Sequence, residues 1–583
     1  MTDDKKKQPS IKTSRCLFIA FGFTLGAALL MWRAVDLQLL NNEFYQGQGN
    51  ARYLRVVDIA AHRGMITDRH GEPLAISTPV SAIWANPQEL VKVPERIAEL
   101  AQVLDLNAGD LLSQVNKNAA REFIYIKRRI EPSVAEQVKR MKIPGVAAQR
   151  EYRRYYPEGE TSVHVSGFTD VDDVGQEGIE LAYDEWLRGS KGRKRVIKDR
   201  LGRIVESVER IREPVAGKNL TLSIDKRLQY LAYRELKTAV IKHRAQSGSV
   251  VILDAKSGEI LAMVNEPASN PNKRVTLRAD SIRNRAVTDA IEPGSTIKPF
   301  TVAAALESGK YTPSSEIDTS PGWYTIGRKR HVISDIKNYG RIDVGEVIRK
   351  SSNVGVSKIA LSLEPEQMRQ VFSAVGFGEI TDTGFPGESP GLLSGAWSWH
   401  DVERATLAYG YGLSVTALQL ARAYAVLADG GRIKPVSFLR LEQPPHGEQV
   451  LSEQTARQVR VMLEKVVGPG GTGTRARVPG YRVAGKTGTA RKSVQGGYVE
   501  QYVSLFAGMA PASDPRLVMV VIINEPGAGG YFGGVVAAPV FSHVMGGALR
   551  MLDVAPDDLA SLAAASQAGS SIDGGAASRR SPM

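Results

Sequence analysis

The sequence predicts an α+β protein carried on one membrane helix, and three observations lead to that class. Residues 16–32 (CLFIAFGFTLGAALLMW) carry no charge, close to the shortest run that crosses a bilayer as a helix. From about 56 to 217, short strand-like runs alternate with turn signals and helical stretches. Beyond 218, a hairpin and a long amphipathic helix are followed far downstream by further strand runs. Such a pattern calls for a sheet assembled from distant segments, with helices packed on it.

The membrane helix is expected over 16–36. Lys5, Lys6, Lys7, Lys12 and Arg15 precede it, so residues 1–15 stay in the cytoplasm and the body lies across the membrane. Gly26 and Ala28 have the small-x-small spacing of a signal-peptidase site. Apolar character nevertheless continues through 29–32, where a cleavable signal turns polar. Arg33 can snorkel to the head groups, and residues 33–55 read as a helix-compatible connection to the body.

A chain of 583 residues exceeds what one core organises, so two or three domains are expected. Residues 37–217 read as a mixed α and β domain, with turns at Asp68-Arg69-His70-Gly71 and Tyr156-Pro157-Glu158-Gly159 and a helix near 94–105. Residues 218–553 form a second domain. It opens with a strand leading into a helix (LTLSIDKRLQYLAYRELKTAVIKH) and a hairpin turned at Lys256-Ser257-Gly258, and strands return at 481–483, 504–509 and 517–523. Residues 554–583, rich in Ala, Ser, Gly and Asp without a core pattern, are expected to be a disordered tail.

Composition narrows the function. The net charge is +13, but part of it is the N-terminal cluster and no recognition motif accompanies it, so nucleic acid is not an expected partner. Cys16 is the only cysteine, and the eight histidines show neither HExxH nor paired spacing. No disulfide, metal site or cofactor is therefore expected.

Chemistry concentrates in three groups. In Glu292-Pro293-Gly294-Ser295-Thr296-Ile297-Lys298-Pro299-Phe300, Pro299 has no N–H for the carbonyl of Ser295, so a helix should start at Ser295 or Thr296. A serine there feels the positive end of the helix dipole, and Lys298, three residues on, can act as its base when burial lowers its pKa. Alone, Ser-x-x-Lys is a weak signal and reads more readily as a solvated first turn. In Lys350-Ser351-Ser352-Asn353, Ser351 can relay a proton and Asn353 can hold the lysine and a substrate amide, although helix capping accounts for such residues equally well. In Lys486-Thr487-Gly488-Thr489, a lysine and two hydroxyls on a strand edge make a carboxylate site, with Gly488 leaving the strand's face clear for substrate. An ordinary hairpin edge is the alternative.

Residues 480–487 (GYRVAGKT) also satisfy the phosphate-loop pattern. That loop must open a helix, whereas Gly488 follows at once and ARKSVQGGY lacks a helical period. Asn524 stands where the run VMVVIINE would need an aspartate, so a nucleotide-hydrolase reading fails.

Taken in order, Ser295 and Lys298, Ser351 and Asn353, and Lys486 to Gly488 resemble the three motifs of penicillin-binding proteins and serine β-lactamases. Their separations of 56 and 135 residues are similar to those of the high-molecular-weight transpeptidases. Residues 63–75 (RGMITDRHGEPLA), Arg153-Arg154-Tyr155-Tyr156-Pro157 and Gly178-Ile179-Glu180 look like signatures of the class B pedestal domain, and residues 407–425 like a transpeptidase-domain helix hairpin. The chain thus resembles the class B penicillin-binding proteins, most nearly the division-specific D,D-transpeptidases of Gram-negative bacteria in their pseudomonad form. It departs in having Lys-Thr-Gly where that form has Lys-Ser-Gly.

The resemblance implies an elongated N-terminal pedestal of the dimerisation type and a transpeptidase domain with a central antiparallel sheet flanked by helices. It implies that Ser295 attacks the D-Ala-D-Ala carbonyl of a peptidoglycan stem peptide while Lys298 takes its proton. The backbone N–H groups of Ser295 and Thr489 would hold the oxyanion, and Lys486, Thr487 and Thr489 the terminal carboxylate. β-Lactams would acylate the same serine. Implied partners are the membrane, a glycosyltransferase and other divisome proteins, with the chain single-pass in the inner membrane and its catalytic domain periplasmic. An elongation-type or paralogous transpeptidase stays open, as does a non-catalytic divisome scaffold. A β-lactamase has no use for the pedestal, and a β-lactam sensor needs further membrane spans.

Overall fold

The structure is a computed structural model that describes residues 13–41, 54–198, 204–327, 331–494 and 497–561. Most of the expected cytoplasmic tail, residues 42–53 of the connection, and residues 562–583 of the expected C-terminal tail lie outside the described residues. Helix α1 (Thr13–Val35) continues into a π turn at Asp36–Leu40. The stretch Ser14–Leu40 is long and apolar enough to span a membrane, and none of its apolar window is buried. Within its last turns Arg33 pairs with Asp36 at 2.7 Å.

The body divides into two compact units. The first contains residues 79–152 and 190–215 with the chain before 62. Strand Pro73–Ala85 pairs antiparallel with Ile124–Ile130, and helices Glu95–Val103, Ala108–Lys117 and Pro132–Arg140 close over them. Leu100, Leu111, Val115 and Val138, at helical spacing on their elements, fill that core with Ile83 and Ile124. A three-stranded antiparallel sheet, Leu54–Ile59 with Gly192–Lys198 and Ile204–Arg212, completes the unit.

The second unit takes residues 216–583 and two segments that the sequence grouped with the N-terminal domain, 62–78 and 153–189. Buried charges join those two segments. Arg63 Nε donates to Glu180 Oε2 at 2.7 Å and its Nη1 to Asp184 at 2.7 Å, while Arg154 Nε donates to Glu180 Oε1 at 2.6 Å. All four residues are buried, and each charge meets an opposite charge within the cluster, the arrangement a buried ion requires. The three N-terminal signatures of the sequence therefore converge on Glu180.

The rest of the unit is built on one sheet. Helix α2 (Lys226–Lys242), capped by Asp225 accepting from the Arg227 N–H, precedes the hairpin of β1 (Ser247–Asp254) and β2 (Ile260–Glu266). Helices α3 (Lys298–Glu307), α4 (Val344–Lys350), α5 (Asn353–Ser362), α6 (Ala417–Ala428) and α7 (Glu453–Val467) follow. The chain then returns through β3 (Ala484–Val494), β4 (Gly497–Ala510) and β5 (Leu517–Asn524) to helix α8 (Ala538–Met551). The sheet order is β2-β1-β5-β4-β3, antiparallel throughout.

Side chains alternate across this sheet. Val251, Leu253, Val518, Val520 and Leu505 face one core with α3 and α6, and Val250, Ile252, Met519, Val521 and Phe506 face the other with α2 and α8. Burial on both faces explains why VVIL and VMVVII read as unbroken apolar runs. The outermost strand, β3, presents its free edge to the turn that carries Ser295.

Two sequence expectations change. The strand expected at 481–483 starts instead at Ala484, so the Lys-Thr-Gly motif lies inside a strand. Residues 554–561, expected to begin the disordered tail, are held in place: Tyr481 donates to Val554 O at 2.6 Å, the Arg482 N–H to Asp557 at 2.7 Å, and the Gly480 N–H to Ser561 Oγ at 3.0 Å.

Candidate active site

Ser295 sits, half-buried, in a 3₁₀ turn at Gly294–Ile297, and α3 begins only at Lys298. The sequence placed the helix start two or three residues earlier. The reason for the difference is Pro299, which cannot donate to Ser295 O; the N–H of Lys298 donates instead, and that bond closes a 3₁₀ rather than an α turn. Side chains three apart on a 3₁₀ turn eclipse, so the spacing of Ser295 and Lys298 is served better than by an α-helix.

Lys298 is fully buried. Its Nζ donates to Ser351 O at 2.6 Å and to Asn353 Oδ1 at 2.7 Å, and lies 3.2 Å from Ser351 Oγ. The first two are carbonyl oxygens and can only accept. A neutral amine, with two protons to give, spends both on them and keeps its lone pair. Asn353 is oriented for this by donating its Nδ2 to Ser334 O at 3.2 Å.

The geometry of the second motif separates its three residues by role. Ser351 ends α4 in the left-handed region, at φ 60°, which turns its hydroxyl inward. Ser352 is the helix cap, its Oγ accepting from the Gly355 N–H at 2.8 Å. Asn353 then opens α5.

Lys486, also fully buried, donates from β3 to Ser351 Oγ at 2.9 Å and to Thr487 O at 3.1 Å. Thr487 Oγ1 shares a hydrogen bond with Thr472 Oγ1 at 2.8 Å. Thr489 Oγ1 accepts from the Gly533 N–H at 3.0 Å, which leaves the proton of that hydroxyl free to donate.

Gly488 acts differently from the expectation. A side chain there would meet Thr296 Cγ2 at 2.8 Å and Pro293 O at 3.0 Å, so the space it vacates is taken by the serine's turn and not left for substrate. The missing Cβ lets the strand edge lie against the nucleophile. Gly294, at φ 52°, approaches from the other side: a Cβ there would lie 3.2 Å from Thr489 O.

Residues 248–546 match the penicillin binding protein transpeptidase domain and residues 58–222 the penicillin-binding protein dimerisation domain. The chain belongs to the penicillin-binding protein family. It is a class B member, a serine-type D,D-transpeptidase of the division-associated branch. It is 43% identical over 568 residues to the peptidoglycan D,D-transpeptidase FtsI of Escherichia coli, covering 95% of this chain and 96% of that one. It is equally 43% identical over 546 residues to the probable peptidoglycan D,D-transpeptidase PbpC of Pseudomonas aeruginosa, covering 94% and 96%. The transpeptidase domain of penicillin-binding protein 3 from Burkholderia pseudomallei superimposes with a TM-score of 0.54 at 44% identity, over 58% of this chain and 97% of that one.

Within this penicillin-binding fold the two lysines set the electrostatics. Burial and the neighbouring Lys486 charge push Lys298 well below an ordinary lysine, against a smaller opposing pull from Asp335. Burial pushes Lys486 down to about 7. Ser351 Oγ sits between the two amines and can pass a proton from one side to the other.

Asp335 is the residue that sequence reasoning missed. Its carboxylate accepts from the Asn353 N–H at 2.5 Å, the Val354 N–H at 3.1 Å and Ser352 Oγ at 2.6 Å, holding the first turn of α5 at its positive end. It follows the strand His331–Ser334 and belongs to no motif. Thr472 and Gly533 were missed likewise, and no spacing ties either to the strand it braces.

Proposed function

We propose that the chain cross-links the stem peptides of septal peptidoglycan, with Ser295 as nucleophile and Lys298 as base. The single observation that carries this reading is the convergence of Lys298, Ser351, Asn353 and Lys486 through hydrogen bonds of 2.6 to 3.2 Å beside the Ser295 turn. Neutral Lys298 takes the hydroxyl proton as Ser295 Oγ attacks the D-Ala-D-Ala carbonyl. The N–H groups of Ser295 and Thr489 hold the oxyanion, and Lys486, Thr487 and Thr489 the terminal carboxylate. The proton returns through Ser351 to the leaving nitrogen and D-alanine departs. The amine of a second stem then attacks the acyl-enzyme, forming the new amide and freeing Ser295. A β-lactam acylates the same serine and provides no departing group to make room for the acceptor.

The basic cluster before α1 supports an N-terminus in the cytoplasm and a catalytic domain in the periplasm. A membrane glycosyltransferase of the divisome is the partner that would supply glycan strands. The equal identities to the Escherichia and Pseudomonas relatives do not favour the pseudomonad form, and they keep a paralogous assignment as the competing reading. Depletion of the chain in its own cell decides between them, because filaments are expected for the septal role and unaltered division for a redundant paralogue.

The chemical test is labelling of the full-length protein in detergent with a fluorescent penicillin. Stable label that is lost in Ser295→Ala and Lys298→Ala is the expected result. An unlabelled wild type would move the scaffold reading to the front.

A further inference from the structure

The three motifs account for the donor peptide only, yet acyl transfer needs a second substrate that presents an amine. Among the described residues, the carboxylates of Asp335 and Glu292 stand close to the motifs. That of Asp335 is occupied by Ser352, Asn353 and Val354. Glu292, three residues before Ser295, is not filled in this way. Its Oε1 accepts from the Gly412 N–H at 2.8 Å and from Tyr498 Oη at 3.0 Å, while its Oε2 is buried with no hydrogen-bond partner among the described residues.

Glu292 lines a cleft of about 450 Å³ whose walls include Gly412, Ala490, Arg491 and Tyr498. The cleft adjoins the nucleophile across Gly294, whose N–H donates to Gly410 O at 3.2 Å and whose Cα faces Thr489 and Ala490. Ala490 directly follows the proposed oxyanion donor Thr489. Arg491 is exposed, and its backbone N–H is fixed by Tyr411 Oη at 3.1 Å. Tyr411 and Tyr498 pack edge to face, centroids 5.3 Å apart, so the cleft offers an acid, an aromatic wall and two cations, of which Lys492 is paired with Glu525. An anion and a cation on one wall complement a zwitterion.

We propose that this cleft is the acceptor subsite, taking an amine that carries its own carboxylate, with Glu292 holding the ammonium and Arg491 the carboxylate. The inference rests on the transpeptidase reading. Tyr498, exposed at the start of β4, yields its bond to Oε1 when the ammonium enters. On reaction the ammonium releases one proton to solvent. Its nitrogen bonds to the acyl carbon, the bond from that carbon to Ser295 Oγ breaks, and the second nitrogen proton passes through Lys298 to the serine oxygen.

The experiment uses the full-length protein in detergent, a thioester analogue of the D-Ala-D-Ala donor, and D-alanine or D-alaninamide as acceptor. Chromatography reads the ratio of aminolysis to hydrolysis. Both products come from the same acyl-enzyme, so the ratio is independent of how much protein folds or acylates. Glu292→Gln is expected to lower the ratio about tenfold with either acceptor, as loss of a charged hydrogen-bond partner does. Arg491→Gln is expected to lower it for D-alanine and to leave it the same for D-alaninamide, which has no carboxylate. Ratios equal to wild type in Glu292→Gln, or an Arg491→Gln effect common to both acceptors, overturn the subsite while the transpeptidase reading stands. A wild type that forms no acyl-enzyme overturns that reading and the subsite with it.

Discussion

The carboxylate of Asp335 accepts the backbone N–H of Asn353 at 2.5 Å, so a residue outside every motif holds the turn that grips the catalytic base. Its charge also favours the protonated form of Lys298. Asp335→Asn removes that charge, drops the lysine further, and lets it be neutral at lower pH. The acid limb of the penicillin acylation profile is therefore expected to move to lower pH, a shift that a purely structural role would not produce. Asp335→Ala also leaves the Asn353 and Val354 N–H groups at the start of α5 without their acceptor, which costs about 1 kcal/mol. Stopped-flow acylation across pH, with a thermal melt of each variant, checks both.

Gly488→Ala tests the close approach of β3 to the nucleophile's turn. The new methyl meets Thr296 Cγ2 at 2.8 Å and Pro293 O at 3.0 Å, and neither neighbour is the free end of a flexible chain. The turn must shift, at a cost of about 1–3 kcal/mol, and misplacement of the serine by about 1 Å lowers acylation about 10²-fold. Acylation that fell no more than the folded fraction would show that the turn yields without moving Ser295.

Lys486 links the site to pH through binding and through stability. Burial lowers it to about 7 from the 10.5 of an exposed lysine. As pH rises through 7 the free enzyme loses the charge that meets the substrate carboxylate, so kcat/KM is expected to fall on that side. Between 7 and 10.5 the unfolded chain binds the proton that the folded chain has lost, so stability rises with pH over that window. Lys486→Met should flatten the rise in Tm between those limits and remove the alkaline fall of kcat/KM. A wild-type Tm that falls across the window as steeply as that of Lys486→Met would sink the assignment.

The parts of this site that the sequence revealed are those fixed by short spacing. Ser295 and Lys298 sit in one turn, and three residues of offset bring them together whether the turn is 3₁₀ or α. Lys298 meets Ser351 and Asn353 across more than fifty positions, and no local pattern reports that; only the order of three motifs did. Asp335 left no trace, because a lone carboxylate after a hairpin strand is as common on surfaces as at catalytic turns. The strand expected at 481–483 begins instead at Ala484, because Gly485, Lys486 and Gly488 disfavour strand in themselves and the segment is held by its pairing with β4. Segments 62–78 and 153–189, both within the second unit, are joined to each other through Arg63, Arg154 and Glu180, whose charges read as surface until their partners are known.

Thr487 tests the one departure from the Lys-Ser-Gly form. Its Oγ1 shares a hydrogen bond with Thr472 Oγ1 at 2.8 Å, and its methyl lies 3.4 Å from where a Cβ on Gly534 would stand. Thr487→Ser keeps the hydroxyl and gives up one methyl, worth about 1 kcal/mol at most, so acylation within about threefold of wild type is expected. Thr487→Val keeps the shape and removes the hydroxyl, which leaves the carboxylate site one donor short and is expected to lower kcat/KM about tenfold through KM. If the valine variant acylated as fast as the serine variant, the Thr487 hydroxyl would be a brace for Thr472 and not a ligand, and the carboxylate would be left to Lys486 and Thr489.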